Sequence, residues 1–441
     1  MSQIKKDAAP ISDKLELSST FCVMPWMHLH AWPDGKAMLC CVANGGENMG
    51  EVGDFSQNSF QEIINSKNLK KIRLDLLEGK RVPQCSSCYT QEDYGMTSFR
   101  QSLNDNFSKH IDRFIGDTDE DGYIKNPKML YMDFRFSNLC NLGCRTCGHQ
   151  LSSTLANNLP PKEKEIMHQE RIEKNVLSKQ GTITSFAYAR PEFMEVDVLP
   201  YIEDCELFYF AGGEPLMHQE HYDILTYLHE NKMYDKGIIY STNMTTLSWK
   251  KTNFLDIWKN FNSVKVLCSI DGHGDLLEYV RDRTKHDVVF SNLRKLLKLK
   301  NENLTKKIEI IICFTLSPYN AYYVTDFFQF LDENNFLDVG GLSDIIINYA
   351  YGDSFQLSNL PKFAKKELKE KIQLTKNNVS VKKVTENYSC AKEQWKVIEE
   401  KIDDEPTAEF DLFIKDNLFD LEKAKSAVPW LASVVERYKI L

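Results

Sequence analysis

The sequence lacks any long apolar segment. Its longest apolar stretches, such as 310–314 and 345–347, are far shorter than the roughly 20 residues that a helix needs to cross a membrane. Residues 1–20 mix lysine, aspartate and glutamate with Pro10 and contain no apolar core, which does not fit a secretory signal peptide. We therefore expect a cytoplasmic protein with no membrane partner.

An excess of positive charge is also missing. The 441 residues include 63 acidic side chains against 54 lysines and arginines, a formal net charge of -9. Unspecific binding to phosphates depends on a basic surface, so the balance argues against nucleic acid as a partner. Lysine-rich stretches at 294–307 and 362–383 keep an RNA-modifying enzyme as an alternative.

Cysteine, by contrast, is abundant. Twelve cysteines in a chain without a secretory signal indicate metal or redox chemistry rather than disulfides. One group consists of Cys140, Cys144 and Cys147, and a second of Cys22, Cys40, Cys85 and Cys88, with Cys41 beside Cys40. The remaining four, which stand in apolar or mixed surroundings and are expected in the core, are Cys205, Cys268, Cys313 and Cys390.

Strand-like and helical segments alternate through the middle of the chain. The strand-like runs lie at 129–136, 207–210, 237–242, 264–270, 308–316 and 344–349, with helical patterns between them. Such alternation is typical of a parallel sheet. We predict an α/β protein with a partial (β/α)6 TIM-like barrel over 126–351, an N-terminal cysteine-rich auxiliary domain over 1–125 and a C-terminal helical region over 352–441.

The densest cysteine motif follows the first predicted barrel strand. It reads Cys140-Asn-Leu-Gly-Cys144-Arg-Thr-Cys147. Three thiolates at this spacing can hold one face of a 4Fe-4S cluster and leave the fourth iron open to a small molecule. Structural zinc, the alternative, normally takes four protein ligands. The loop also lies where β/α barrels carry their chemistry, at the carboxyl end of a strand.

Polar groups follow the next three predicted strands. The second strand ends in Gly212-Gly213-Glu214-Pro215, where glycines allow close approach of backbone to a ligand and the carboxylate can accept from an ammonium group. The third strand ends at Thr242 and Asn243, and the fourth at Ser269 and Asp271. Hydroxyl, amide and carboxylate groups at one rim suit ribose hydroxyls and an amino-acid moiety.

Together these motifs resemble the radical S-adenosylmethionine (SAM) superfamily, whose partial barrel carries a three-cysteine motif of this spacing after its first strand. The resemblance implies a SAM-binding 4Fe-4S cluster at the triplet. It also implies SAM contacts at Gly212, Gly213, Glu214, Thr242, Asn243, Ser269 and Asp271, with Arg281 as a candidate partner of the SAM carboxylate. Two positions depart from the family pattern, Thr146 in place of an aromatic residue and Met244 in place of glycine.

The earlier cysteine group resembles the auxiliary-cluster domains called SPASM and twitch. The resemblance rests on the spacing of Cys22, Gly35 and Cys40, and on the pair Cys85-Ser-Ser-Cys88. It implies a second 4Fe-4S cluster held by Cys22, Cys40, Cys85 and Cys88. In relatives such domains usually follow the barrel, whereas here the motif precedes it. Cys41 in place of Cys40, ligation by His28 or His30, and a zinc ribbon remain alternatives.

The resemblance also implies a reaction. An electron donor such as flavodoxin or ferredoxin would reduce the cluster, and cleavage of SAM would give a 5'-deoxyadenosyl radical that takes hydrogen from a substrate. SPASM and twitch relatives often modify peptides, so we predict a peptide or protein side chain as substrate. A small carbohydrate or nucleotide-derived substrate, an RNA substrate and a non-catalytic cluster-binding protein are the alternatives. The sequence does not identify a catalytic acid or base.

Overall fold

The computed structural model describes residues 19–43, 50–174, 176, 182–185, 192, 194–350, 352–416 and 420–440. Residues 1–18, most of the N-terminal segment without an apolar core, lie outside the described residues. The chain forms two compact units, which we call unit 1 and unit 2. Unit 1 contains residues 1–139 and 156–213, and unit 2 contains residues 140–155 and 214–441.

Unit 1 is built on five strands. They are β1 (His28–Ala31), β2 (Lys36–Met38), β3 (Glu51–Asp54), β4 (Tyr131–Phe134) and β5 (Leu207–Phe210). Their order is β5-β4-β1-β2-β3, with β5, β4 and β1 parallel and β2 and β3 antiparallel. All four residues of β4 are buried, as expected for a central parallel strand covered on both faces. The cysteine-rich region thus adds three strands beside β4, an arrangement that the sequence analysis did not predict.

Unit 1 also contains α-helices. They are Met24–Met27, Phe60–Ile64, Lys67–Leu77, Ser86–Asp93, Phe99–Asn106, Ile111–Gly116, Pro161–Glu173 and Leu199–Ile202. Serine side chains begin three of them: Ser59, Ser66 and Ser98 each accept a hydrogen bond from a backbone N–H of the first turn. Ser66 therefore starts a new helix directly after Phe60–Ile64.

Unit 2 contains a four-stranded parallel sheet and a short hairpin. The sheet consists of β6 (Gly237–Thr242), β9 (Ser263–Ser269), β10 (Lys307–Leu316) and β11 (Asp344–Tyr349), in that order. The hairpin pairs β7 (Ser248–Trp249) with β8 (Thr252–Asn253). Helices Gln219–Glu230, Phe254–Trp258, Gly274–Val280, His286–Glu302 and Val324–Glu333 occupy the intervals before and between these strands.

The C-terminal part of unit 2 is helical, as predicted. Its α-helices are Lys362–Thr375, Val379–Asn387, Ser389–Lys396, Ile398–Asp403, Phe410–Asp416, Leu421–Ala427 and Pro429–Ile440. Gln394 accepts a hydrogen bond from the backbone N–H of Ile347 at 2.6 Å, which joins one of these helices to β11. One further helix, Ser153–Asn158, lies where the chain passes from one unit to the other.

The predicted α/β class is confirmed. All six predicted barrel strands are present, as β4, β5, β6, β9, β10 and β11. Closure into a partial barrel and the three predicted domain boundaries stay predictions. Within the described part of the chain, no helix combines the length and the apolar character needed to cross a bilayer.

Candidate functional site

In unit 1, four cysteines surround one cavity. Cys22, Cys40, Cys85 and Cys88 all line it. Cys22 precedes helix Met24–Met27, Cys40 follows β2, and Cys85 and Cys88 lie at the start of helix Ser86–Asp93. The structure therefore brings together all four residues that the sequence predicts as auxiliary-cluster ligands.

Cys41 faces other neighbours. It is not among the described residues that line this cavity, and its thiol interacts with Asp133 and Arg135 instead. Burial, followed by the Asp133 charge, raises the pKa of Cys41 to about 12. Of the two alternatives left open by the sequence, this geometry favours Cys40 as a ligand.

One cation also borders the cavity. The Arg100 side chain is 3% exposed and is held by Glu92, with 2.9 Å from Nε and 2.5 Å from Nη2, and by the Phe21 carbonyl at 2.6 Å from Nη1. Its charge lowers the pKa of Cys22 and of Cys85 against the larger effect of burial, which raises both. Arg100 belongs to no motif, so its place beside the cysteines becomes visible only in the folded structure.

In unit 2, the backbone groups of the three-cysteine loop form hydrogen bonds with neighbouring segments of the chain. The Cys140 N–H donates to Ser153 Oγ at 3.2 Å, and Thr154 Oγ1 donates to the Cys140 carbonyl at 2.9 Å. Farther along the loop, the N–H groups of Gly143 and Arg145 donate to the carbonyls of Asp282 and Val280. Cys144 is buried and Cys147 is exposed. These hydrogen bonds anchor the loop to residues 153–154 and 280–282 of the same unit.

Glu214 is linked to this loop through Asn243. The buried carboxylate accepts from Thr242 Oγ1 and from the Asn243 N–H, both at 2.8 Å. Asn243 Nδ2 in turn donates to Asn141 Oδ1 at 3.0 Å and lies 3.9 Å from Cys140 Sγ. Burial raises the pKa of Glu214 to about 7 despite these hydrogen bonds. A buried carboxylate of this kind favours a cation beside it.

Asp271 and Arg281 form a buried pair. Asp271 accepts from Arg281 Nη1 at 2.8 Å and from the Thr315 N–H at 2.7 Å, so both carboxylate oxygens are engaged. Burial alone would lower the pKa of Arg281, but its interactions with Cys144 and Asp271 outweigh that effect and raise the pKa. Arg281 Nε is buried without an acceptor in the described structure. The Arg281 Nε–H group can therefore donate to the carboxylate of a ligand. Asp271 holds the guanidinium in position through Nη1.

The remaining predicted contacts fall on strand ends. Ser269 ends β9 and is half-buried. Met244 has φ +62°, the left-handed conformation that favours the glycine found there in many relatives. Its carbonyl accepts from Asn292 Nδ2 at 2.9 Å, which holds the turn. The departure from glycine therefore leaves the backbone shape in place.

Gly212 and Gly213 end unit 1, and both have positive φ angles, +80° and +29°. A Cβ on Gly213 would lie 2.2 Å from the Leu139 carbonyl oxygen, and one on Gly212 would lie 2.7 Å from Arg135 Cβ. Only glycine allows such close approach. Both glycines thus approach residues 135–139, the segment that joins β4 to the cysteine loop.

Among the described residues, no three histidine, cysteine, aspartate or glutamate side chains stand close enough to hold one metal ion.

Comparison with known families identifies the N-terminal region. Residues 22–89 match the model of the SPASM family, an iron-sulfur cluster-binding domain. The match includes all four cysteines of the unit 1 cavity and confirms the predicted SPASM-like domain with its iron-sulfur cofactor. No curated protein matches the chain.

Three solved structures are similar to parts of the chain. They are TYW1 with a lysine-pyruvate adduct bound, anSMEcpe with bound AdoMet and Cp18Cys peptide, and SuiB of Streptococcus suis. The identities are 15%, 17% and 12%, and the TM-scores are 0.28, 0.27 and 0.30. The alignments cover 54%, 54% and 70% of this chain, and 70%, 59% and 62% of the other chains. This chain thus spans less than two thirds of anSMEcpe and SuiB. At TM-scores of 0.27 to 0.30, we infer neither fold nor function from these three structures.

Proposed function

We propose that the protein is a radical SAM enzyme with an N-terminal SPASM domain. The observation that carries the proposal is the connection from Glu214 through Asn243 to Cys140 within unit 2. It places a buried carboxylate, the expected partner of the SAM ammonium group, beside the loop expected to hold the open iron. The confirmed iron-sulfur domain at residues 22–89 supports the same reading.

The residues of unit 2 fit the proposed cofactors. Cys140, Cys144 and Cys147 would hold the 4Fe-4S cluster, and Glu214 would accept from the SAM ammonium group. Arg281 Nε, buried without an acceptor among the described residues, would donate to the SAM carboxylate. Once bound and reduced, the cluster and SAM supply a 5'-deoxyadenosyl radical. The buried positions of Cys144, Glu214 and Asp271 would keep water away from the reacting groups.

Cys22, Cys40, Cys85 and Cys88 would hold the auxiliary 4Fe-4S cluster, for which their shared cavity is the support. A peptide or protein side chain is the proposed substrate, on the strength of the SPASM resemblance. A one-electron donor such as flavodoxin or ferredoxin is the proposed redox partner.

Anaerobic reconstitution of the full chain tests the proposal. Reduced protein supplied with SAM should release 5'-deoxyadenosine, detected by chromatography. Wild type should contain about eight irons, and Cys140→Ala and Cys85→Ala about four each. Cys390→Ala is the matched control for a cysteine outside both groups and should keep both clusters.

The neighbouring pair Cys40 and Cys41 offers a second control. Cys40→Ala should lose the auxiliary cluster, whereas Cys41→Ala should retain it. Fully loaded, reduced wild type that leaves SAM intact would instead indicate a protein that binds clusters without catalysis.

A further inference from the structure

Arg145, the residue after Cys144, contacts the end of a helix elsewhere in unit 2. Its Nε–H donates to the Tyr279 carbonyl at 2.9 Å, and its backbone N–H donates to the Val280 carbonyl at 2.8 Å. Its guanidinium lies 4.1 Å from the centre of the Tyr279 ring. One residue of the cysteine loop therefore binds the end of helix Gly274–Val280 through its backbone, its side chain and its charge.

The chemistry of a helix end explains why an arginine suits this position. The last carbonyls of an α-helix have no donor within the helix, and Tyr279 and Val280 are the last two residues of this one. Arg145 supplies a donor to each of them from outside. A cation at a helix C-terminus also interacts favourably with the helix dipole. An apolar side chain of similar length would provide neither the Nε–H donor nor the charge.

The C-terminal helical region supports the surface that receives Arg145. The Tyr279 ring meets the Tyr319 ring edge-on, with 5.9 Å between their centres, and the Tyr279 hydroxyl donates a long hydrogen bond of 3.5 Å to the Asp420 carbonyl. Tyr319 in turn packs against Phe413, with 5.0 Å between ring centres. Tyr279 therefore lies between the cysteine loop and the C-terminal helices.

The same segment carries Arg281. This residue directly follows the helix, and the next carbonyl, that of Asp282, accepts from the Gly143 N–H at 3.1 Å. Burial raises the pKa of Cys144, and the nearby charge of Arg281 lowers it. Asp271 holds the Arg281 guanidinium, whereas Arg145 binds the backbone segment from which the Arg281 side chain extends.

We propose that Arg145 is a positioning residue of the SAM site. Its contacts with Tyr279 and Val280 keep Arg281 at the distance from the cysteine loop that a SAM carboxylate requires. Arg145 acts through Arg281 and not by contact with SAM, so no bond is broken and no group is transferred. This inference deepens the proposed function and rests on it for the identity of the ligand.

Two variants and one control test the inference. Arg145→Met removes the Nε–H donor and the charge, and Arg145→Lys keeps the charge and one donor group. The control is Arg283→Met, which removes the same charge from an exposed side chain two residues beyond Arg281. Calorimetry on the full chain with both clusters loaded compares the Kd of SAM with that of decarboxylated SAM. Amide hydrogen exchange of the same cluster-loaded protein without SAM follows residues 279–284.

Wild type and Arg283→Met should bind SAM roughly tenfold to a hundredfold more tightly than decarboxylated SAM. Arg145→Met should lose most of this preference and exchange faster over residues 279–284, and Arg145→Lys should retain more of the preference than Arg145→Met.

Three results would overturn the inference. They are a wild type without the preference, an equal loss in Arg283→Met, which would show an effect of charge alone, and faster exchange in Arg145→Met with the preference intact, which would show a purely structural role. A wild type that binds SAM with the preference but leaves it uncleaved would refute the proposed reaction and leave the positioning role standing.

Discussion

Replacing Glu214 with glutamine should weaken SAM binding and remove its dependence on pH. The carboxylate is fully buried, and burial raises its pKa from the usual 4.5 to about 7. Because one pKa unit is worth about 1.4 kcal/mol, ionisation of Glu214 costs roughly 3 kcal/mol in the protein without SAM. The ammonium group of SAM would offset that cost, and glutamine cannot form the ion pair.

The magnitude follows from a charge-assisted hydrogen bond, worth about 1.5–3 kcal/mol. Glu214→Gln should therefore raise the Kd for SAM roughly tenfold to a hundredfold. Below pH 7 the wild-type carboxyl is increasingly protonated and must lose its proton to bind an ammonium group. The affinity of wild type should accordingly fall by about tenfold for each pH unit below 7, whereas the variant should show no such slope.

The free energy of unfolding without SAM should change in the opposite direction. Glu214 has a higher pKa in the folded protein than in the unfolded chain, so its contribution is most favourable below pH 4.5 and declines as pH rises to about 7. Calorimetry between pH 5.5 and 7.5 on cluster-loaded protein measures the affinities, with exposed Glu230→Gln as control. Equal Kd values and equal slopes for wild type and Glu214→Gln would refute the reasoning.

Three further predictions concern unit 1. Arg73→Met should lower the free energy of unfolding by about 3–5 kcal/mol in urea, because it removes the donor to the buried carbonyls of Gly122 and Pro25 and one of the two donors to Asn65 Oδ1. Exposed Arg81→Met should cost at most about 1 kcal/mol. Gly213→Ala should destabilise by about 1–3 kcal/mol in thermal unfolding, since its Cβ would collide with backbone, and Gly116→Ala, with open space around it, should not. Arg100→Gln should lower the reduction potential of the auxiliary cluster, because a nearby cation stabilises the more negative reduced state. A redox titration followed by electron paramagnetic resonance measures the potential, and Arg100→Lys should keep it close to the wild-type value. An unchanged potential in Arg100→Gln, or equal stability within either of the other pairs, would contradict the corresponding prediction.

Much of the fold could be predicted from local patterns. The six barrel strands appear where apolar runs alternate with helical periodicity, because burial of a parallel strand selects a continuous apolar segment. The resemblance to SPASM and twitch domains, carried by the spacing of Cys22, Gly35 and Cys40 and by the pair Cys85 and Cys88, likewise indicated the four cysteines around the unit 1 cavity. These signals are contained in the order of residues along the chain.

Other features depend on contacts between distant residues. The choice of Cys40 over Cys41 follows from which thiol faces the cavity, and the pairing of β1 with β4 brings His30 to Asp133 across 103 positions. Arg100 and Arg135 carry no motif of their own, and only packing places one beside the cysteines and the other beside the glycine turn. The sequence by itself determined which elements form and which residue types can hold the cofactors. The tertiary structure decided which polar side chains meet, because hydrogen bonds and ion pairs depend on distances in space that no local spacing encodes.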